Sequence, residues 1–365
     1  MTAFRRALEG LVAYEPGPPI ELLRRRLGLT GPIVKLDANE GSFGPVPAAV
    51  EVIRRAADEA NRYPDGGCWA LRDALARRHG LAFEQVVVGP GVDAVLTYLA
   101  LALLEPGDEV AFCWPTFPVY LSDAMKLGAM PVKAPLAGGA FDLEALADAV
   151  TGRTKLVFVT NPNNPTGGMV TRDQLAAFLD RLPDTVLPVV DEAYFEYVDE
   201  PDYPDALVEH LRAGRRVVVL RTFSKIYGLA GLRVGWAAGP ADVAAAYIKV
   251  KNAFDVSQVA QDAALASLDA DDEIARRRGL VASGRERLAA GLRALGLEPL
   301  PSVANFVWAP VPDAAAVAVA LEQHGVLVRC TAGFGAPEGI RVTVGTDDEI
   351  DVFLAACADV AGASR

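Results

Sequence analysis

The sequence predicts an α/β protein whose large domain has an open, mostly parallel sheet between layers of helices, followed by a smaller α+β domain. Six short runs, nearly all apolar, alternate with segments of helical spacing between residues 85 and 239. Such runs are typical of parallel strands that helices cover on both faces. The alternation stops after about residue 255, which disfavours a closed barrel of eight strand–helix repeats. With 365 residues, the chain can form one large and one small core.

Each candidate strand is short and is followed by a turn or by the start of a helical pattern. The six runs are, in chain order, "QVVVG" at 85–89, "DEVAFC" at 108–113, "KLVFVT" at 155–160, "VLPVVD" at 186–191, "RVVVLRT" at 216–222 and "LRVGWAAG" at 232–239. The segments between them have the apolar spacing of amphipathic helices, as in "TRDQLAAFLDRL" at 171–182. The longest apolar run, "AVLTYLALALL" at 94–104, is too short to cross a bilayer and is interpreted as a buried helix.

The pattern beyond residue 255 predicts the smaller domain. A long helix is predicted over "ARRRGLVASGRERLAAGLRALG" at 275–296, with its arginines on one face and its Leu and Ala residues on the other. Three short β-rich runs and two further helices follow it. The first 35 residues, rich in Pro and Gly at "YEPGPPI", are interpreted as an arm. We therefore predict an N-terminal arm over 1–35 that joins the small domain, a large domain over 36–270 and a small domain over 271–365.

Charge and cysteine content argue against several classes of function. Lys plus Arg is 35 and Asp plus Glu is 47, so the net charge is −12, and so acidic a surface repels nucleic acid. The four cysteines form no C-x-x-C pair and the three histidines no H-E-x-x-H, so neither a metal site nor a disulfide framework is predicted. The N-terminal segment is a poor signal peptide. We expect a cytoplasmic protein without a membrane segment.

Two loops that follow predicted strands could bind an anion or a polar ligand. In "VVVGPGVDAVL", Gly89 and Gly91 allow the backbone to approach an anion, and the helix that starts near Val92 offers free N–H groups. A plain tight turn stays open as an alternative, and Ala94 breaks the dinucleotide pattern G-x-G-x-x-G. In "VTNPNNPTGG", the amides of Asn163 and Asn164 can donate to a ligand, although an ordinary Asn-Pro turn has the same composition.

A third strand ends with a carboxylate. In "VVDEAYFEY", Asp191 follows four apolar residues and should lie in a partly dry place at the edge of the sheet. An unpaired carboxylate there is costly, so a cationic partner is expected. The alternative is an aspartate that caps a helix N-terminus.

The fourth stretch, "RTFSKIYGLAGLRVGW" at 221–236, combines an amine, two hydroxyls and a guanidinium. A lysine in an apolar site, here Lys225, is readily deprotonated and can attack a carbonyl group. The hydroxyls of Thr222 and Ser224, together with Arg233, can bind a phosphate. The phosphate-bearing aldehyde that also needs a carboxylate for its ring nitrogen is pyridoxal 5′-phosphate (PLP). A surface lysine and an ion-paired arginine are the alternative for this stretch alone, but four such motifs in this order favour PLP.

These stretches carry a resemblance to a known family over nearly the whole chain. The sequence resembles the fold type I PLP enzymes of the class I and II aminotransferase superfamily, and within it the histidinol-phosphate aminotransferases. The carrying stretches are "NRYPDGG", "NPNNPTGG", "DEAYFEY", "TFSKIYGLAGLRVGW" and "IRVTVGT". The resemblance implies a fold type I PLP-transferase and an exchange of the amino group between glutamate and imidazole acetol phosphate.

The resemblance also implies roles around the cofactor ring. Lys225 matches the lysine that holds PLP covalently and later moves the proton between Cα and C4′. Asp191 matches the carboxylate that keeps the pyridine nitrogen protonated. Asn164 and Tyr194 match donors to the phenolic oxygen of the ring, and Phe117 in "WPTFPVY" matches the aromatic residue that stacks on it.

Further matches concern the cofactor phosphate and the substrate. The phosphate-binding set that the resemblance implies is Thr222, Ser224, Arg233 and the backbone at Val92 and Asp93. Tyr63 in "RYPDGG" matches a tyrosine that reaches the site of the partner subunit, which implies a homodimer. Arg341 matches the arginine that binds the substrate carboxylate or its equivalent, and Arg329 and Tyr14 match residues that contact the phosphate of histidinol phosphate.

Two departures from the family pattern concern substrate and phosphate binding. "DANEGSFGP" has Gly41-Ser42 where many relatives have Asn-Pro or a similar pair, and Val92 stands where relatives often have a hydroxyl residue.

Three other functions on the same scaffold are alternatives: an aromatic amino acid aminotransferase, a threonine-phosphate decarboxylase and a non-catalytic module. Intact Lys225 and Asp191 argue against the last. For Arg329, a structural ion pair with a carboxylate of the small domain, such as Asp347 or Glu338, is the alternative to phosphate binding.

Overall fold

The computed structural model describes residues 6–8, 10–13 and 16–363, and within them the chain forms four sheets and twelve α-helices. The strands are β1 Val34–Lys35, β2 Val86–Gly89, β3 Glu109–Cys113, β4 Met130–Ala134, β5 Leu136–Ala137, β6 Ala140–Phe141, β7 Thr154–Thr160, β8 Leu187–Asp191, β9 Val218–Thr222, β10 Gly235–Ala238, β11 Phe306–Pro310, β12 Val326–Leu327, β13 Arg329–Cys330 and β14 Gly339–Thr343. The helices are α1 Ile20–Leu27, α2 Pro47–Arg55, α3 Trp69–His79, α4 Val92–Leu103, α5 Val119–Leu127, α6 Leu143–Asp148, α7 Arg172–Arg181, α8 Ala241–Val250, α9 Gln258–Ser267, α10 Asp271–Ala294, α11 Ala314–Gln323 and α12 Asp347–Ala363.

The main sheet has seven strands in the order β2-β10-β9-β8-β7-β3-β4. The pairs β4–β3, β3–β7, β7–β8 and β8–β9 are parallel, whereas β10 runs antiparallel to both β9 and β2. The prediction of a mostly parallel α/β sheet is confirmed. The strand β4 was not predicted, because this edge strand is partly exposed and its "MPVKA" is not an apolar run.

Helices cover both faces of this sheet, and successive strand residues point into two different cores. Val110, Leu156 and Val189 belong to one cluster of buried side chains. Their immediate neighbours Ala111 and Val157 belong to the other cluster. This alternation explains the all-apolar strands, because each face of the pleat is buried against helices.

The C-terminal part of the chain has a second, antiparallel sheet in the order β11-β14-β13, with α10, α11 and α12 beside it. The short β1 pairs in parallel with β12, so the chain before the main sheet is tied to this part. None of the described helices is both long and apolar enough to cross a membrane. The division into 1–35, 36–270 and 271–365 stays a prediction.

Helix α10 departs from the predicted two-faced pattern at Arg277, which is 3% exposed. Its Nη1 donates to the carbonyl of Ile226 at 2.9 Å, and its Nε pairs with Glu273 at 2.7 Å. The expectation that the arginines of this helix share one face is therefore wrong at this position, because the neighbouring Arg276 is exposed. Ile226 directly follows Lys225, so the buried guanidinium fixes the loop that carries the lysine.

Candidate active site

The carboxyl ends of the parallel strands surround a cavity of about 190 Å³, the usual place for a ligand in an open α/β sheet. The described residues that line it are Ala38, Asn39, Val92, Asp93, Phe117, Thr160, Asn164, Asp191, Ala193, Tyr194, Thr222, Ser224, Lys225, Arg233, Phe334 and Arg341. Eleven of these sixteen are residues that the sequence analysis predicted. Arg329 and Tyr63 were predicted as well but do not belong to this described lining, and Tyr14 lies outside the described residues.

Lys225 lies on the loop after β9, and its Nζ donates to the carbonyl of Ala38 at 3.3 Å. The amine also lies 5.6 Å from the ring centre of Tyr194. Burial, with the nearby guanidinium of Arg341 as the next cause, lowers the pKa of Lys225 to about 8. A neutral amine, which is the nucleophilic form, is therefore available near neutral pH.

Asp191 is the last residue of β8 and is 3% exposed. Its Oδ2 accepts the hydroxyl of Tyr120 at 2.7 Å, and its Oδ1 accepts the N–H of Ala193 at 3.1 Å. Burial raises the pKa of Asp191 to about 6, and the two hydrogen bonds oppose this rise. Both donors are neutral, so the cationic partner that the sequence predicted is not provided by these two bonds.

Two further pairs fix polar groups at the cavity wall. Asn39, at the positive φ of 54°, donates its Nδ2 to the Tyr194 hydroxyl at 2.9 Å. Nη1 of Arg341 donates to Oδ1 of Asn164 at 2.5 Å, and its Nη2 donates to the carbonyl of Asp37 at 2.7 Å. Arg341 is 3% exposed, so its guanidinium is held in one orientation beside the cavity.

The opposite end of the cavity is suited to an anion. Helix α4 begins at Val92, where its first N–H groups have no partner within the helix. Gly91 has a φ of 85°, and a Cβ at this position would lie 2.5 Å from Nη2 of Arg233. The hydroxyl of Thr222 accepts the N–H of Ser224 at 3.1 Å. Glycine is favoured at position 91 because a φ of 85° is strained for any residue with a side chain.

Arg329 is held by a carboxylate that the sequence analysis did not consider. Its Nε donates to the carbonyl of Asp37 at 3.3 Å, and its Nη2 lies 3.5 Å from Oδ2 of the same residue. Arg329 therefore pairs with a carboxylate, as the alternative expected, but the partner is Asp37 and not the suggested Asp347, which pairs with Arg287. Asp37 is also 3.2 Å from Nζ of Lys35.

Several lining residues and supports were missed by sequence reasoning. Tyr120 and Thr160 belong to the quoted stretches "WPTFPVY" and "KLVFVT", but their residue types gave no signal of a site. Asn39 lies in "DANEGSFGP", two residues before the Gly41 that drew attention. In that loop the hydroxyl of Ser42 donates to the carbonyl of Val344 at 2.6 Å.

The chain is similar to known aminotransferases over nearly its full length. Residues 31–356 match the family model "Aminotransferase class I and II". An aromatic amino acid aminotransferase of Streptomyces coelicolor is 46% identical over 353 residues, which is 96% of this chain and 95% of that protein. A histidinol-phosphate aminotransferase of Moorella thermoacetica is 40% identical over 358 residues, 98% of this chain and 92% of that protein.

A solved structure agrees with these relatives. The crystal structure of histidinol-phosphate aminotransferase from Sinorhizobium meliloti, in complex with pyridoxal 5′-phosphate, superposes with a TM-score of 0.89 at 31% identity and covers 100% of this chain and 99% of that one. The chain therefore belongs to the class I and II aminotransferases and is a PLP-dependent transaminase.

The residues of the cavity fit PLP in number and in chemistry. A half-buried amine, a buried carboxylate whose hydrogen-bond donors are neutral, and an anion-binding helix start line the same space. The amine matches the aldehyde of the cofactor, the carboxylate matches its ring nitrogen, and the helix start matches its phosphate. When bound, PLP withdraws electrons from the substrate and so makes its Cα–H acidic.

The side chains of this chain would then have separate tasks. Lys225 would hold the cofactor and carry the proton at Cα, since its amine is half-buried and of lowered pKa. Asp191 would keep the ring nitrogen protonated, Asn164 and Tyr194 would bind its oxygen, and Arg341 would orient the substrate.

The lowered pKa of Lys225 predicts a pH dependence for cofactor uptake by the apoprotein. The attacking form is the neutral amine, so the uptake rate should rise with pH, bend near the lysine pKa of about 8 and level off above it. Stopped-flow absorbance after mixing apoprotein with PLP measures this rate. A rate that kept rising without a bend up to pH 10 would contradict a perturbed lysine.

The matched control is Lys225→Ala. After borohydride reduction and digestion, mass spectrometry should find the cofactor mass on the Lys225 peptide of the wild-type protein and on no peptide of the variant. A label on another lysine would show that the site is wrongly assigned.

Proposed function

We propose that this transaminase acts on aromatic amino acids and exchanges their amino group with a 2-oxo acid. The observation that carries the proposal is the pairing of Arg329 with Asp37. Relatives named as aromatic amino acid aminotransferases and as histidinol-phosphate aminotransferases both resemble the chain at 40% identity or more. The names alone therefore do not choose between the two substrates.

Arg329 is the residue that the family resemblance matches to the phosphate of histidinol phosphate. Its guanidinium lies 3.5 Å from a carboxylate oxygen of Asp37, which is itself 3% exposed. A phosphate dianion at Arg329 would sit near this carboxylate. At ~5 Å and an effective dielectric constant near 20, the repulsion is about 3 kcal/mol per unit of charge. The uncharged ring of phenylalanine or tyrosine meets no such repulsion.

The cavity wall also offers apolar contact to an aromatic ring. Phe117 and Phe334 both line it, and Phe334 is 3% exposed with its ring 5.1 Å from the guanidinium carbon of Arg341. An aromatic side chain gains stability from offset contact with such rings. Histidinol phosphate stays the second candidate, because Arg329 and Arg341 both donate to the carbonyl of Asp37, so two guanidinium groups that can bind a phosphate lie close together.

A half-reaction screen tests the proposal. The PLP form is mixed with phenylalanine, tyrosine, histidinol phosphate or threonine phosphate, and the cofactor absorbance is followed in single turnovers. We expect a larger second-order rate constant for phenylalanine or tyrosine than for either phosphate. A larger constant for histidinol phosphate would reverse the proposal, and release of CO₂ from threonine phosphate would indicate the decarboxylase.

Asp37→Asn should shift this preference. Removal of the carboxylate charge should raise the rate constant for histidinol phosphate by about tenfold or more, given a repulsion of this size, and leave that for phenylalanine within about twofold. Glu40→Gln is the matched control, because Glu40 pairs with Lys35 at 2.6 Å and is not a partner of Arg329 in the described contacts. An unchanged ratio in Asp37→Asn would remove Asp37 as the basis of the preference.

We also propose that the active unit is a homodimer in which Tyr63 completes the site of the partner subunit. Tyr63 is 84% exposed and stacks on Phe254, itself 49% exposed, at 4.9 Å between ring centres. Exposed aromatic pairs of this kind are typical of interfaces. The proposal follows the resemblance, which matches Tyr63 to a residue that crosses between subunits.

Mixing of two inactive variants tests the composite site. A heterodimer of Tyr63→Phe and Lys225→Ala subunits should contain one complete site, so mixing and re-equilibration should restore part of the activity. Arg233→Ala with Lys225→Ala is the control pair: both residues belong to the same chain's site, so activity should not return. An active monomer in sedimentation at assay concentration would contradict the proposal.

A further inference from the structure

A row of buried hydroxyl groups adjoins Asp191 and reaches the cavity wall at Thr160. The hydroxyl of Tyr120 is 2.7 Å from Oδ2 of Asp191 and 2.9 Å from Oγ1 of Thr160. Tyr120 is 1% exposed, and its ring stacks on Phe158 at 4.4 Å with an angle of 12° between the planes. The tyrosine is thus held rigidly, with its hydroxyl on the carboxylate.

At the far end of this row, Asn163 fixes which way the hydroxyl of Thr116 donates its hydrogen bond. Nδ2 of Asn163 donates to the carbonyl of Pro115 at 3.2 Å, which can only accept, so the amide oxygen faces the other way. That oxygen accepts the hydroxyl of Thr116 at 2.7 Å. Thr116 has a single hydroxyl hydrogen, and this bond uses it.

Because Thr116 donates to Asn163, its hydrogen is not available to Thr160, which lies 3.3 Å away. Thr160 can donate either to Thr116 or to the hydroxyl oxygen of Tyr120, and the contact with Tyr120 is the shorter of the two, at 2.9 Å. The hydrogen of Tyr120 then goes to Asp191, whose Oδ2 accepts it. Two directions in the row are therefore assigned: Thr116 donates to the amide oxygen of Asn163, and Tyr120 donates to Asp191, which leaves the tyrosine oxygen able to accept from Thr160.

We propose that Tyr120, supported by Thr160, is a positioning residue that holds Asp191 as an oriented carboxylate toward the pyridine nitrogen of PLP. The hydroxyl donates to one carboxylate oxygen and the N–H of Ala193 to the other. Each bond uses a different carboxylate oxygen as its acceptor, and protonation of either oxygen would disturb one of them. The two bonds together therefore favour the ionised form of Asp191. Their geometry also leaves the carboxylate plane fixed when the cofactor is exchanged.

Two charged groups also act on Asp191 besides these donors. The amine of Lys225 lowers the pKa of Asp191, and the carboxylate of Asp93, at the start of α4, raises it. Desolvation is the largest cause and raises this pKa to about 6. The hydrogen bond from Tyr120 is the largest of the effects that lower the pKa of Asp191. Without this hydroxyl, the carboxyl group should stay protonated to a higher pH.

Tyr120→Phe tests the proposal, because phenylalanine retains the ring that stacks on Phe158. PLP affinity is measured by equilibrium dialysis from pH 5 to 9 in wild type and variant. We expect the dissociation constant at pH 8 to rise by about tenfold, the usual loss for one hydrogen bond to a charged group. The acid-side fall in affinity should also move to higher pH. An unchanged dissociation constant and an unchanged midpoint would overturn the proposal.

Two further variants separate positioning from general damage to the sheet. Tyr203→Phe removes another buried tyrosine hydroxyl, which donates to the carbonyl of Asn161 at 2.5 Å and does not touch Asp191. It should leave the midpoint in place, and an equal shift in this control would count against the proposal. Thr160→Val should shift the midpoint in the same direction as Tyr120→Phe by a smaller amount, and it provides the test if Tyr120→Phe does not fold.

Discussion

A carboxylate buried at the end of a central strand is the constraint on which the site depends. Asp191 lies where β8 ends, between β7 and β9, and the register places Thr160 directly beside it. An ionised carboxylate in so dry a place is stable only if donors surround it. The buried hydroxyl of Tyr120 and the N–H of Ala193 meet part of this need, and a protonated ring nitrogen would meet the rest.

A buried ion pair next to this carboxylate holds the ends of β8 and β9 together. Glu192, next to Asp191, is fully buried and accepts Nε of Arg221 at 2.9 Å. Arg221 precedes Thr222 of the anion-binding end, stacks over Phe195 at 3.5 Å and also pairs with Asp205. Because the pair is desolvated on both sides, loss of one partner would leave a buried charge. The distance between Asp191 and Thr222 is therefore fixed by the core.

The parts of the fold that follow from local pattern could be predicted from the sequence. All six apolar runs are strands, and the loops after β2, β7, β8 and β9 carry residues of the cavity. The supports could not be predicted, because they join distant parts of the chain: Asn39 meets Tyr194, and Asp37 meets Arg329. No periodicity or spacing encodes such contacts. Burial of Arg277 was missed for the same reason, since its acceptor belongs to the loop of Lys225.

When PLP is bound, Asp191 should be an ionised acceptor that keeps the ring nitrogen of the cofactor protonated. The most direct test is ¹⁵N NMR of the protein reconstituted with PLP labelled at the pyridine nitrogen, because the chemical shift of this nitrogen reports its protonation. We expect the shift of a protonated nitrogen across neutral pH in the wild type and of an unprotonated one in Asp191→Asn. An unprotonated nitrogen in the wild type at pH 7 would contradict the account.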